Sequence, residues 1–140
     1  MPPAILRLFA LLVAVQAAHS VEEWSFGLYD SFPPARFVAG LVSADRERGF
    51  VVVNVALVAF GAWCLVGPVR RGWPSAPAIV ASWSVVETAN GIGHPLWSVI
   101  QRSYTPGVGT APVLLVLGVA LLRRLPASRN PVDSSRRGAG

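Results

Sequence analysis

Four apolar stretches, each bounded by arginine, proline or glycine, organise this chain. The first covers residues 4–21 and is broken only by Arg7, Gln16 and His19. The second covers residues 50–69, carries no charge, has Asn54 as its polar exception near the start, and stops at Arg70-Arg71. After a turn punctuated by Pro74 and Pro77, the third covers residues 78–92; Gly91, Gly93 and Pro95 then predict a loosened or ended helix beside His94. The fourth covers residues 108–122 and stops at Arg123-Arg124. About 17–25 apolar residues in helical form cross a bilayer core. The predicted fold is therefore all-α, an integral membrane bundle of four transmembrane helices within residues 1–125. The polar remainder, residues 126–140, has no apolar periodicity and reads as a disordered tail.

The segments between the spans carry their own signals. Residues 24–49 hold Trp24, Phe26, Tyr29, Phe32 and Phe37, the pair Pro33-Pro34 and the charged run Asp45-Arg46-Glu47-Arg48, and read as a loop lying in a membrane interface. Residues 94–102 read as interfacial too, anchored by Trp97, and Tyr104 to Gly107 as a turn. Residues 4–21 admit a second reading, because Arg7, the apolar core Leu8 to Val15 and the small pair Ala17-Ala18 also describe a cleavable signal peptide.

Composition narrows the class. With 53% hydrophobic and 14% charged residues in 140, the chain falls well below the charge content of about 25% usual for soluble domains. All 12 basic residues are arginine, a bias expected of a GC-rich genome; the expected location is the plasma membrane of a bacterium. The arginine runs flank apolar segments without interleaved aromatics, so the expected partner is the lipid bilayer and not nucleic acid. With the N-terminus inside, eight arginines lie on the cytoplasmic side and Arg36, Arg46, Arg48 and Arg102 outside, which predicts both termini cytoplasmic. Four spans in so short a chain also suggest a homodimer to enclose a pocket.

That alternation places the chemistry. Spans one and three end, and spans two and four begin, at the same face. His19, Glu22, Glu23, Asn54, Glu87, Asn90, His94 and Tyr104 thus fall in one half of the bundle. His19, Glu22 and Glu23 stand one turn apart on one helix face. Glu87, Asn90 and His94 share another face, with Glu87 and His94 about 10.5 Å apart along the axis, too far to chelate one ion directly. A charged side chain within a bilayer costs roughly 2.5–3.5 kcal/mol on insertion scales, which makes Glu87 a functional candidate by default. Imidazole and carboxylate together suit iron, zinc or manganese. The expected metal ligands are His19, Glu22, Glu23, Glu87 and His94, with Glu23 and Glu87 the candidates for acid-base work. The rival reading is a proton-linked small transporter or ligand-binding protein in which Glu87 titrates without a metal. Plainer readings stand beside these: a helix end at the interface for His19 to Glu23, a solvated loop for His94. The lone Cys64 lies in an apolar run, and Gly91-Ile92-Gly93 lacks the helix and acidic partner of a dinucleotide site.

The ordered set His19-Ser20-Val21-Glu22-Glu23, then His94, then Tyr104-Thr105-Pro106-Gly107 resembles the HXXEE-domain family of small integral membrane proteins. The resemblance spans roughly residues 19–107. It implies that the motif residues carry the function, and that the first segment is retained, since cleavage after Ala18 would leave the motif histidine as the N-terminus.

Overall fold

The computed structural model describes residues 1–125; the tail expected over residues 126–140 lies outside them. Among the described residues the chain is helical throughout, with no strand. Helix α1, Pro3–Ser25, opens on a proline whose fixed φ suits a first turn and whose missing N–H would have no intrahelical partner. One buried stripe runs its length at helical spacing: Ile5, Phe9, Leu12 and Val13, then Gln16, His19, Ser20 and Glu23. The same face is therefore apolar over its first half and polar over its second.

Residues expected to form an interfacial loop are instead two helices, α2 (Leu28–Ser31) and α3 (Pro33–Val42). Gly27, at φ 71°, turns the chain between α1 and α2. Pro33-Pro34 begins α3 where a turn was expected, because proline is pre-set for the first helical turn. Helix α4, Arg46–Cys64, is capped by Asp45, which accepts the Arg48 N–H at 3.1 Å. A π-helical turn, Leu65–Val69, continues it; Pro68 lies inside this turn and has no N–H to keep the regular ladder.

Helix α5, Ala76–Gln101, does not end near Ile92 as its glycines and Pro95 suggested. Pro95 withdraws a single bond from the ladder, and burial of Gly91 and His94 on one stripe carries the helix past it. Gly91 is a packing residue: a Cβ there would stand 2.5 Å from the Leu115 Cβ and 2.8 Å from the Ala111 carbonyl oxygen. Helix α6, Ala111–Leu122, answers with Gly118, where a Cβ would stand 2.5 Å from the Thr88 hydroxyl and 2.8 Å from the Ser84 carbonyl. The crossed order of these contacts makes α5 and α6 antiparallel, with small residues letting the backbones approach closely. The main core lies between α1, α5, α6 and the end of α4, where Phe9, Leu12, Cys64, Val80, Leu114 and Leu121 are fully buried. A smaller cluster of Leu28, Ala39 and Phe50 joins α2, α3 and α4.

Two helices, Pro3–Ser25 and Arg46–Val69, are long and apolar enough to cross a membrane; the expectation of four is not met among the described residues. Helix α6 has 12 residues, roughly 18 Å at 1.5 Å each, short of a hydrocarbon core of about 30 Å. Helix α5 is long enough, but Ser82, Ser84, Glu87, Thr88, Asn90 and His94 dilute its hydropathy. Removal of residues 1–18 would take Ile5, Phe9, Leu12 and Val13 out of the main core.

Candidate metal centre

The polar half of the α1 stripe meets the C-terminal part of α5. His19 and Glu23 are one turn apart, and α5 brings His94 against them. Glu23 Oε1 lies 3.3 Å from His19 Nε2 and 3.2 Å from His94 Nε2. The imidazoles meet edge to face, with ring centroids 4.7 Å apart. One ligand atom from each of the three residues falls within 4.8 Å of the others, and all three are buried. His19 Nε2 and His94 Nδ1 have no hydrogen-bond partner in spite of their burial. Gly107, at φ 96°, closes one side: a Cβ there would stand 2.7 Å from His19 Cε1 and 2.9 Å from both Cε1 and Nδ1 of His94.

Glu22, one residue before Glu23, turns to the loop that precedes α6. Its Oε1 accepts the Tyr104 hydroxyl at 2.5 Å and the Gly109 N–H at 2.9 Å. Its Oε2 accepts the Thr110 N–H at 2.9 Å and the Thr110 hydroxyl at 2.7 Å. The Thr110 hydroxyl also lies 2.7 Å from His19 Nδ1. Tyr104, whose hydroxyl donates a hydrogen bond to this carboxylate, is pushed up from 10.0 to about 12, first by that hydrogen bond and then by lost solvation.

Glu87 sits fully buried two turns before His94, outside the three converging groups. Asn90 donates to its Oε2 at 3.2 Å. The Gln16 amide faces it as well, and the sense with nitrogen toward the carboxylate is the one that satisfies both ends of the amide against an ionised Glu87. With nitrogen toward the carboxylate, Gln16 donates to Oε1 and Oε2 at 3.2 and 2.8 Å and accepts the Ser20 hydroxyl at 3.1 Å. With oxygen toward the carboxylate, its nitrogen donates to Ser20 at 3.1 Å. Ser20 is then free to donate to Asn54 at 2.7 Å, and Asn54 donates to the Phe50 carbonyl at 3.0 Å. The second sense requires a proton on Glu87, since two oxygens face each other otherwise.

Of the five expected ligands, the structure brings His19, Glu23 and His94 together and leaves Glu22 and Glu87 in separate hydrogen-bonded settings. The sequence reading passed over Gln16, Ser20 and Thr110. Gln16 carried a signal, a polar side chain three residues before His19 on an apolar stripe; Thr110 carried none beyond following Gly107 by three.

A bundle of helices with a buried pair of histidines around one carboxylate is thus the class that fold and site define. The family model described as a protein of unknown function with HXXEE motif matches residues 10–121, and the chain belongs to that family. No curated protein and no solved structure matches it.

Proposed function

We propose that this chain is a membrane-embedded protein in which His19, Glu23 and His94 hold one divalent metal ion at a site open to chemistry. The observation that carries the reading is His19 Nε2, completely buried, without a hydrogen-bond partner, and 3.3 Å from a carboxylate oxygen that His94 also faces. A buried ring nitrogen left unpaired beside a buried carboxylate is costly, and a cation between them would offset that cost. Two imidazoles and one carboxylate form a donor set known for zinc with a water in the fourth position, and for iron with open positions; manganese also accepts it. In such a site the metal supplies Lewis acidity or an activated water. Glu87, on the same α5 stripe as His94, is the candidate acid-base group.

The membrane setting rests on apolar side chains that face outward. Val52, Val55, Phe60 and Val66 of α4 and its π turn, and Val85, Val99 and Ile100 of α5, are each more than half exposed. Patches of that kind on a monomer mark a membrane or protein contact.

Elemental analysis of protein extracted from the membrane fraction in mild detergent tests both parts. Stoichiometric zinc, iron or manganese is expected in the parent and its loss in His19→Ala, Glu23→Gln and His94→Ala. Metal retained in both histidine variants would remove the site from consideration. Well-folded parent without metal would favour a proton-linked role for Glu87, which is fully buried with Asn90 as a hydrogen-bond donor. Infrared detection of a carboxylic acid band that disappears in Glu87→Gln would then be the deciding signature.

A further inference from the structure

We infer that Glu22 and Thr110 are positioning residues that fix His19 in its Nδ1–H tautomer, so that Nε2 is the atom offered to the metal. The inference rests on the metal reading for its purpose, but its geometry stands alone. A carboxylate offers about four lone-pair sites, and Glu22 has four donors on them: Tyr104, Gly109 and both the N–H and the hydroxyl of Thr110. Glu22 thus has no acceptor site left for a metal ion.

Thr110 transmits the consequence. Its hydroxyl has one proton and three neighbours: Glu22 Oε2 at 2.7 Å, His19 Nδ1 at 2.7 Å and the Gly107 carbonyl at 3.4 Å. The charged acceptor at short range takes the proton, because hydrogen bonds to ionised oxygen are roughly twice as strong as neutral ones. The Thr110 oxygen must then accept from His19, which puts the ring proton on Nδ1 and leaves a lone pair on Nε2. That is the nitrogen without a partner beside Glu23 and His94. The H-x-x-E-E motif accordingly divides its labour: the histidine and second glutamate face the ion, while the first glutamate orients the histidine through a hydroxyl. Partners of this kind commonly set the tautomer of a ligating histidine, and their loss costs about 10–100-fold in metal affinity.

The test uses the full chain in detergent micelles with nitrogen-15 in its histidine rings. In the parent, the spectrum of His19 is expected to show a proton on Nδ1. Thr110→Val should shift the ring toward the other tautomer and weaken zinc binding about 10–100-fold, and Thr110→Ser should restore both. Glu22→Gln supplies a second variant if Thr110→Val does not fold, with the same spectral shift expected. A parent His19 without a proton on Nδ1, or folded Thr110→Val with the parent's spectrum and zinc affinity, overturns the inference. Failure of the metal reading looks different: no zinc binds the parent, while the tautomer of His19 still reports on Thr110.

Discussion

Gly107→Ala puts the site's tightest contact to a quantitative test. The added methyl would lie 2.7 Å from His19 Cε1 and 2.9 Å from His94 Cε1 and Nδ1, closer than carbon atoms pack. Neither ring yields freely, since His19 is held by Thr110 and the two imidazoles brace each other at 4.7 Å. Overpacking of that kind costs about 1–3 kcal/mol. A φ of 96° adds backbone strain of about 1–2 kcal/mol for a residue with a Cβ. The variant should therefore lose about 2–5 kcal/mol of stability. Gly27→Ala is the matched control, because Gly27 also has positive φ, at 71°, but nothing lies within 4 Å of its added Cβ. It should show the backbone component alone, about 1–2 kcal/mol. Denaturant unfolding in one detergent, followed by circular dichroism, measures both. Equal losses in the two variants would show that Gly107 does not press on the histidines.

Three further outcomes follow from other positions. Gly118→Ala should separate α5 from α6 and destabilise by about 1–3 kcal/mol in the same unfolding assay, because Thr88 and the Ser84 backbone occupy the space of the new methyl; Gly93→Ala, with open space around it, should instead stabilise α5 by about 0.5–1 kcal/mol. Tyr104, raised from 10.0 to about 12, holds its proton more tightly folded than unfolded, so its bond to Glu22 contributes fully below about pH 10 and is lost as pH climbs through about 12. Phenolate absorbance in a Tyr29→Phe background isolates it, and a midpoint near 10.0 would refute the contact.

The meeting of His19, Glu23 and His94 was legible because alternating helices put the ends of α1 and the polar stretch of α5 at one end of the bundle. The i, i+4 spacing of His19 and Glu23 did the rest. Less visible was which glutamate turns inward, since Glu22 and Glu23 differ by about 100° around α1 and only the loop at Tyr104 to Thr110 decides between them. Gly91 and Pro95 were misread for a related reason. Local propensity marks them as breakers, whereas the close approach of α6 to Gly91 is a tertiary fact. Pro33-Pro34 likewise serves a turn or a helix start equally well, and the packing of α3 on α4 through Ala39 and Gly49 selects the latter.

The loop that holds Glu22 lies far along the chain from it: Tyr104 is 82 residues on, and Thr110 stands 91 residues beyond His19. During synthesis α1 is therefore complete long before any of its polar partners exists. Its motif residues must wait through the making of four more helices, and the site closes only when the last hairpin swings its connecting turn over the end of the first helix. The centre is in this sense a clasp between the first helix and the α5–α6 hairpin, so its formation reports that these distant segments have come together.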